Sequence, residues 1–384
     1  MRTNLRFVVS ATALIAATYG LSRFGYGLFA PAFGRSFDLT PAVTGIISSG
    51  SFVAYCIAAA AAYRMAAAPR RTVLLAGAVA SAGSIGVALS GSVAVLAVSI
   101  LIAGAGAGFA SPGLVTLVEE KIRTADATRT QAVVNSGTGF GVVLAGTLAL
   151  VLTDHWRTAW WIITIVDISA TIAVLATGRR SAAVPRAPAR PTFARADLRP
   201  LRPAAVAALL AGISSAAVWT FGRSLVVTQG QLTEPEATVF WVCLGGAGIA
   251  GAFSGDLVTR WGLRTGWITT TTLMGSATLL IGAWPGNATA MYVAGGVFGA
   301  SYVALSGVLI AWASHVLPGR SAAGTAALFI TLALGQALGA LLTGALLGTI
   351  GPTPAFALSA AIAGASIAPA VRGTTPTRPR SRAR

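Results

Sequence analysis

Charged residues are scarce in this chain. They make up 10% of its 384 residues, whereas hydrophobic residues make up 55%. A soluble domain carries about 25% charged residues, so the deficit excludes a soluble protein of this length. The mean hydropathy of +0.77 and the 45 glycines are typical of membrane helices, in which small residues let neighbouring backbones approach closely.

Residues that form disulfides or hold metal ions are also rare. The two cysteines, Cys56 and Cys243, lie inside apolar runs, and the two histidines, His155 and His315, lie far apart. No His, Cys and carboxylate group has the spacing of a metal site, and no Gly-Lys-Ser/Thr motif follows a glycine run. We therefore predict no metal and no cofactor. Because the apolar runs contain one mid-span acid and no His-Glu-x-x-His motif, we also predict that the protein is not an enzyme.

Acidic residues number only 10 against 27 lysines and arginines, which gives a formal net charge of +17. On a soluble domain this balance would indicate a nucleic-acid partner. Here the basic residues lie between apolar runs and at the C-terminus, and no nucleic-acid-binding motif accompanies them. We predict no nucleic-acid partner.

Twelve apolar runs reach the length of about 20 residues that a helix needs to cross a bilayer. The first run is long, and a second follows after a short turn, so we interpret it as a retained helix and not a signal peptide. The chain is therefore predicted to be an all-α integral membrane protein with twelve transmembrane helices. The predicted spans 1 to 12 are 7–32, 42–63, 72–90, 93–117, 131–153, 158–177, 204–228, 237–258, 266–284, 288–312, 322–348 and 353–371.

The basic residues predict the orientation. If the N-terminus is cytoplasmic, all but four of the 27 fall in cytoplasmic segments, the exceptions being Arg35 and Arg157 in outer loops and Arg23 and Arg223 inside spans. This asymmetry follows the positive-inside rule. We predict a multi-pass protein of the plasma (inner) membrane with both termini cytoplasmic. The basic loops either set this topology only or also contact anionic lipid.

A polar stretch rich in Arg, Ala and Pro, 178–203, is expected to be a flexible cytoplasmic linker. It separates an N-terminal six-helix bundle, 1–177, from a C-terminal six-helix bundle, 204–371. A basic cytoplasmic tail, 372–384, follows.

The two bundles have related sequences. Span 1 contains Tyr19-Gly-Leu-Ser-Arg23, span 7 contains Trp219-Thr-Phe-Gly-Arg223, and spans 5 and 11 carry glycines at similar positions. Such matches indicate duplication of a six-helix unit, and parallel six-plus-six repeats are a common transporter architecture.

Twelve spans, a central basic loop and paired halves together resemble the major facilitator superfamily over nearly the whole chain. The loop between spans 2 and 3 in that family reads Gly-x-x-x-Asp-Arg-x-Gly-Arg-Arg, and this sequence keeps Arg70 and Arg71 without the acid. The loop between spans 8 and 9 is closer, with Asp256-Leu-Val-Thr-Arg260. The resemblance implies that Asp256 and Arg260 act in a gate.

The segment Gly20-Leu-Ser-Arg23-Phe24-Gly-Tyr26, with Trp156-Arg157-x-x-Trp160 before span 6, resembles the bacterial YbfB/YjiJ-like subgroup. This likeness implies a transporter but carries no substrate. The family's exporters often have a Gly-Pro motif in span 5, and the proline is missing here, so the direction of transport stays open.

Arg23 and Arg223 are the most informative residues, because an Arg at a helix centre costs about 2.5–3.5 kcal/mol on the insertion scale. The resemblance implies that spans 1 and 7 both line a central cavity. One hypothesis is that the two guanidinium groups face each other and bind an anionic substrate, since Arg binds carboxylate or phosphate bidentately. The other is that each Arg bonds backbone carbonyls within its own half.

Three acids in or beside spans of the first half are candidates for gating or coupling. Asp167 lies near the middle of span 6, and an intramembrane acid is a candidate for proton coupling. Because the resemblance implies that spans 3, 6, 9 and 12 pack outside the cavity, we favour helix packing or Arg pairing for it. Glu119 and Glu120 end span 4, either as solvated residues or as an inner gate with nearby arginines.

The remaining candidates for substrate contacts are polar and aromatic side chains inside spans. Each has the alternative role of helix packing or hydrogen bonding between helices. Trp219 lies one turn before Arg223 and would share its face, so it is a candidate for stacking on a ring-bearing substrate. The full set is Tyr19, Tyr26, Asn135, Trp219, Tyr302 and Gln336.

These features favour a monomeric secondary transporter of a small solute, driven by an ion gradient such as protons, since no nucleotide-binding motif is present. An organic anion is the favoured cargo. The alternatives are a multidrug-type exporter of lipophilic or cationic compounds and a non-transporting membrane receptor or lipid-handling protein on the same scaffold.

Overall fold

The computed structural model describes residues 2–65, 67–122, 124–152, 155–178, 199–317 and 320–373. Within these ranges, the side chains of 2–4, 124–129, 252–257, 259, 321–322 and 372–373 lie outside the description. Residues 179–198 of the predicted linker and 374–384 of the predicted tail are likewise outside it.

Every regular element in the described part of the chain is helical. Spans 1 and 7 are each interrupted by a π-helical segment, and Gly262, with φ 80° and ψ 163°, separates the end of span 8 from the start of span 9. In the first half, span 1 consists of Arg2–Ile15, Ala16–Arg23 and Gly25–Phe37, and spans 2 to 6 are Pro41–Arg64, Pro69–Ala88, Val93–Lys121, Thr124–Leu152 and Trp156–Thr177. In the second half, span 7 consists of Arg202–Ala216, Ala217–Gly222 and Arg223–Thr228, and spans 8 and 9 are formed by Glu234–Ile249, Ala250–Phe253 and Ser254–Ala283. Spans 10 and 11 are Ala288–Val316 and Ser321–Thr349, and span 12 consists of Pro352–Ala365 and Ile367–Gly373.

Among the described residues, ten helices are long and apolar enough to cross a membrane. The other two spans of the predicted twelve are spans 8 and 9, which the structure also forms as helices. The twelve-helix, all-α membrane fold is therefore confirmed.

The ends of the spans show which loops share a side of the bundle. At the end of span 4, Lys121 donates to the carbonyl of Thr177 at the end of span 6. Arg70 at the start of span 3 donates to the carbonyl of Leu175, 3.0 Å away. Lys121 also lies over the ring of Phe7 near the start of span 1. We call this side, on which span 1 begins, the terminal side.

The other ends meet on the opposite side. Trp156 Nε1 at the start of span 6 donates to Ser36 Oγ at the end of span 1, at 3.2 Å. Arg157 donates to the carbonyl of Ser90, just after span 3, at 2.8 Å. Alternate span ends thus lie on the same side, as the sequence predicts for antiparallel neighbours joined by short loops.

Side-chain caps fix the helix starts on this opposite side. Thr40, Ser92 and Asn287 each accept a hydrogen bond from the backbone N–H three residues further on. Thr233 and Glu236 form a reciprocal capping box. Each cap satisfies a backbone N–H that the helix leaves unpaired, and such a cap contributes about 1 kcal/mol.

Glycines of span 5 bring it against span 1. A Cβ atom added to Gly137 would collide with the carbonyl oxygen of Thr12, and one added to Gly141 would collide with that of Ala16. The backbones touch because neither glycine has a side chain, which is how small residues drive packing between membrane helices.

The second half repeats this contact. Gly335 and Gly339 of span 11 meet the carbonyl oxygens of Leu209 and Ile213 of span 7 in the same way. The repeat supports the two pseudo-symmetric bundles predicted from the sequence. It also fixes the register of the repeat, in which Leu209 is the counterpart of Thr12.

The most extensive contacts between the two bundles run along two pairs of helices. Span 2 packs on span 11, where Gly45 meets the carbonyl oxygen of Ala340, and span 5 packs on span 8, where Gly139 meets that of Gly245. Spans 3, 6, 9 and 12 are peripheral to this interface, so a space is left between the bundles around spans 1, 4, 7 and 10.

Candidate functional site

A central cavity of about 90 Å³ lies between the two bundles. Its lining comes from spans 1, 2, 4, 5, 8, 10 and 11, and no lining residue among the described ones comes from spans 3, 6, 9 or 12. Arg23 lies at mid-span, while Ile310 and Phe329 lie close to the terminal-side ends of spans 10 and 11. The cavity therefore extends from the middle of the bundle towards the terminal side.

Arg23 is the one charged side chain among the described residues that line this cavity. It is 7% exposed and ends the π-helical segment Ala16–Arg23 of span 1. The wider turn is visible in the hydrogen bond from Phe24 N to the carbonyl of Tyr19, five residues back, at 2.9 Å. Such a π-bulge changes the direction of the side chains that follow it and is frequent at functional sites.

Aromatic rings surround the Arg23 guanidinium. Its Cζ lies 4.0 Å from the ring centroid of Tyr55, 5.0 Å from that of Phe52, 5.2 Å from that of Phe24 and 5.5 Å from that of Tyr19. A cation within about 6 Å of a ring face is attracted by the ring quadrupole, by up to about 2 kcal/mol when both are desolvated. The rings thus lower the cost of holding this charge inside the membrane.

Gln336 of span 11 joins Arg23 to the other half. Its Oε1 accepts a hydrogen bond of 3.1 Å from Arg23 Nη2. Its Nε2 donates to the hydroxyl groups of Tyr302, at 3.0 Å, and Ser215, at 3.4 Å. The amide is thereby fixed from both ends and links spans 1, 7, 10 and 11.

One donor of the guanidinium is unused. Arg23 Nε is buried and has no hydrogen-bond partner in the described structure. No Asp or Glu lies among the described lining residues. An intramembrane cation without a counter-ion leaves the cavity with a positive charge that an anionic ligand would balance.

Three further predicted residues line the same cavity. Tyr19 shares a hydroxyl–hydroxyl contact of 3.1 Å with Tyr55, and Tyr302 bonds Gln336 as described. Asn135 on span 5 accepts a hydrogen bond of 3.2 Å from Gln131. The structure thus brings together Arg23, Tyr19, Asn135, Tyr302 and Gln336.

Arg223 belongs to a separate cluster. It is 4% exposed, and its guanidinium donates to Glu234 at 2.6 Å and Thr238 at 3.1 Å in its own half, and to the carbonyl of Leu28 in span 1 at 2.8 Å. Glu234 also pairs with Arg35 of the first half, at 2.6 Å. We call Arg35, Glu234 and Arg223 the opposite-side latch, because they hold the two halves together on that side.

The two arginines therefore do not face each other across the cavity, contrary to the hypothesis from the sequence. The glycine contacts explain the difference, since they make Leu209 the counterpart of Thr12. In that register the counterpart of Arg23 is Thr220, and Arg223 lies about one helical turn nearer the opposite side. Thr220 instead bonds Ser48 of span 2, at 2.8 Å.

An aromatic layer separates the cavity from the latch. The rings of Phe24 and Trp219 stack with centroids 3.9 Å apart, and Trp219 makes edge contacts with Tyr302 and Phe298. Trp219, predicted to stack on a substrate, therefore stacks on span 1 in this structure. Tyr26 is also buried away from the cavity, where its hydroxyl donates to the carbonyl of Thr44.

Asp167 is fully buried between spans 1, 3 and 6. Its Oδ2 accepts hydrogen bonds from Ser22 at 2.8 Å and Ser84 at 3.2 Å. No arginine pairs with it within the described residues. Of the two structural roles expected for it, the contacts are those of helix packing and not of Arg pairing.

The other predicted gate residues lie on the terminal side. Glu119 and Glu120 are exposed at the end of span 4, and Arg260 is exposed close to Gly262. The side chain of Asp256 lies outside the described residues. The inner gate therefore stays a prediction.

Two important residues were missed in the sequence. Tyr55 gives the shortest ring contact to Arg23, but a tyrosine inside span 2 carries no distinguishing signal. Glu234 joins two arginines, and its only sequence signal is the capping pattern Thr233-Glu-Pro-Glu236 at the start of span 8.

Two six-helix bundles around a central cavity with a buried cation define a membrane transporter fold. The profile of the Major Facilitator Superfamily matches residues 12–242, more than half of the chain, and the protein belongs to this superfamily. No curated protein matches the sequence.

Solved transporters share the fold. A variant of the nucleoside transporter NupG superposes with a TM-score of 0.74 at 12% identity, covering 96% of this chain and 98% of that one. A bacterial homologue of the human lysosomal transporter Spinster, inward-facing and unoccupied, gives 0.69 at 15% identity, covering 97% and 95%. The human organic anion transporter MFSD10 gives 0.67 at 17% identity, covering 96% and 98%.

Proposed function

We propose that this protein is a secondary transporter that moves a small organic anion by alternating access to the Arg23 cavity. The observation that carries the proposal is the buried Arg23 guanidinium, which has an unused Nε–H and no acidic neighbour among the described residues of the cavity lining. A guanidinium presents donors in a planar fork that suits a carboxylate. The likeness in fold to a human organic anion transporter is consistent with this cargo.

The lining also favours a ring-bearing anion. Tyr19, Tyr55, Phe24 and Tyr302 surround the guanidinium or lie beside it, and aromatic faces stack on planar groups. The cavity of about 90 Å³ is smaller than the cavity of about 150 Å³ that holds benzene in an engineered protein. Binding of such a solute therefore requires the two bundles to move apart.

The transport cycle would exchange access between the two sides. In this structure the opposite-side latch and the aromatic layer close one side, while the cavity extends towards the other. If the terminal side is cytoplasmic, as the basic residues predict, the conformation belongs to the inward-facing part of the cycle. Rocking of the two bundles would break the Arg35–Glu234 pair and the Arg223–Leu28 hydrogen bond, both of which cross between the halves.

A multidrug-type exporter of lipophilic or cationic compounds is the second candidate, and the aromatic lining is the observation that favours it. The buried Arg23 guanidinium in the cavity disfavours positively charged cargo, because like charges repel strongly at low dielectric constant.

We propose that the protein acts as a monomer in the plasma membrane with both termini cytoplasmic. The YbfB/YjiJ-like subgroup stays a prediction.

Thermal stability with three ring-matched probes tests the proposed cargo. Benzoate, benzylamine and benzyl alcohol share one ring and differ in charge, and a ligand that binds the folded state raises the unfolding midpoint by mass action. We expect benzoate alone to stabilise the wild type, and expect Arg23→Gln to lose this effect. Arg157→Gln is the matched control, because Arg157 also contacts a ring and a carbonyl but lies outside the cavity. Stabilisation by benzylamine that survives Arg23→Gln would favour the exporter.

A further inference from the structure

Asp167 is the one acidic residue inside a span interior among the described residues, and its environment is incomplete. The side chain is 0% exposed. Oδ2 accepts from Ser22 and Ser84, while Oδ1 has no hydrogen-bond partner in the described structure. A buried carboxylate without a cation or a full set of donors is costly. A carboxyl group in such a place is suited to exchange a proton.

Among the described residues of the neighbouring helices, no charged side chain pairs with this carboxyl. On span 1, Arg23 and Tyr19 flank Ser22, but Arg23 donates to Gln336 and Tyr19 bonds Tyr55, both at the cavity. On span 3, Arg70 bonds the carbonyl of Leu175 at the terminal side, and Arg71 is exposed there. Residues 130–152 of span 5 contain no titratable residue. Span 6 itself carries Arg157 at its opposite-side end, bonded to Ser90.

Ser22 connects this carboxyl to the anion site. Its hydroxyl lies 2.8 Å from Asp167 Oδ2, and it directly precedes Arg23 in the same π-helical segment. The segment therefore presents Ser22 to Asp167 and Arg23 to the cavity. A change in the charge of Asp167 acts on the segment that positions the guanidinium.

Charge balance predicts how the two sites depend on each other. With the cavity empty, the charges of Arg23 and an ionised Asp167 sum to zero, although the two groups do not form an ion pair. With a monoanion on Arg23 and a proton on Asp167, the net charge is again zero. Either ligand alone leaves an uncompensated charge in the membrane interior, which is expensive at low dielectric constant.

We propose that Asp167 is a proton-binding site and that Ser22 links it to Arg23, so that one monoanion and one proton are carried together. The proton adds to a carboxylate oxygen of Asp167 and leaves from it on the other side of the membrane, and no other bond changes. The joint transport of anion and proton rests on the proposed anion transport function. The proton site at Asp167 does not depend on that function.

Infrared spectroscopy of the purified protein tests the proton site without any ligand. We expect the wild type to show a carboxylic-acid C=O stretch that disappears as the pH rises, and expect Asp167→Asn to lack this band. If Asp167→Asn does not fold, Asp167→Glu should shift the band, because the carboxyl then occupies a different position. A pH-difference spectrum that is the same in the wild type and in the folded Asp167 variant would overturn the proposal.

Calorimetry of benzoate binding tests whether anion binding at Arg23 is coupled to proton binding at Asp167. Titrations in two buffers of different ionisation enthalpy give the number of protons taken up per bound anion. We expect about one proton in the wild type, by linkage, and none in Asp167→Asn. Ser22→Ala should reduce the uptake, whereas Ser81→Ala should leave it unchanged, because Ser81 lies one turn from Ser84 and has no hydrogen-bond partner in the described structure.

The outcomes separate the two proposals. If benzoate does not bind but the infrared band titrates, the proton site stands and the anion cargo fails. If benzoate binds with the same proton uptake in wild type and Asp167→Asn, the anion cargo stands and the coupling role of Asp167 is overturned.

Discussion

Arg23 Nη2 and Gln336 Oε1 lie 3.1 Å apart although 313 residues separate them along the chain. A cation of the first half is thus held by an amide of the second half, at the inner end of the central cavity. Any motion that separates the bundles around the cavity must lengthen or break this bond, so the proposed anion site and the contact between halves share the same atoms.

Replacing Gln336 tests this contact. Gln336→Glu places a carboxylate beside Arg23, so we expect it to occupy the anion site from within and abolish benzoate stabilisation while the protein stays folded. Gln336→Met keeps the volume and removes the hydrogen bonds, and should lower the unfolding free energy by about 1–3 kcal/mol. Benzoate stabilisation that is undiminished in Gln336→Glu would show that the anion binds elsewhere.

The rings around Arg23 should stabilise the guanidinium through their faces. Tyr55→Phe keeps the ring 4.0 Å from Arg23 Cζ and removes only the hydroxyl contact with Tyr19. Tyr55→Leu removes the ring. We expect Tyr55→Leu to be less stable than Tyr55→Phe by about 0.5–2 kcal/mol in chemical denaturation. Equal stabilities would contradict a stabilising contact between the ring and the guanidinium.

The opposite-side latch should control which side of the protein is closed. Glu234→Gln removes the charge that pairs with both Arg35 and Arg223, so we expect the halves to separate more often on that side. Spin labels at Ala42→Cys and Gln229→Cys, with Cys56 and Cys243 replaced by Ser, would report longer distances in Glu234→Gln.

The matched control for the latch is Glu236→Gln. Glu236 lies two residues away and caps the same helix through Thr233, but it forms no part of the latch. It should leave the distance distribution unchanged. The same lengthening in both variants would indicate a frayed helix start and not an opened latch.

The close helix contacts should tolerate no added side chain. Gly339→Val forces its side chain against the carbonyl oxygen of Ile213, whereas Gly348→Ala meets nothing nearby. We expect Gly339→Val to destabilise the protein by about 1–3 kcal/mol and Gly348→Ala to have little effect, measured as unfolding midpoints in detergent. A neutral Gly339→Val would mean that spans 7 and 11 are not packed as described.

Much of the fold could be predicted from the sequence because membrane spans depend on run length and hydropathy alone. The observed helices begin and end close to the predicted ones, and the two related halves follow from the repeated Arg-containing spans. Spans 1, 4 and 10 continue further than predicted, to Phe37, Lys121 and Val316, and span 5 begins earlier, at Thr124. Polar residues near the ends of a membrane helix still find partners outside the apolar core.

The site could be predicted only in part. The predicted equivalence of Arg223 and Arg23 was wrong by about one helical turn. The sequence comparison matched the two identical residues, whereas the glycine contacts between helices set the register of the repeat. The roles of Tyr55 and Glu234 depend on distances across helices that periodicity does not encode. Arg23, by contrast, could be found because a charge inside an apolar run is conspicuous on its own.

The measurement that tests the central claim most directly is counterflow of radiolabelled benzenesulfonate into proteoliposomes loaded with the unlabelled compound. A sulfonate stays ionised and crosses lipid poorly, so uptake reports the protein. The account predicts uptake with the wild type and with Arg157→Gln, and its loss with Arg23→Gln. Equal uptake by wild type and Arg23→Gln, or uptake of benzylamine alone, would contradict the assignment of Arg23 as the anion site.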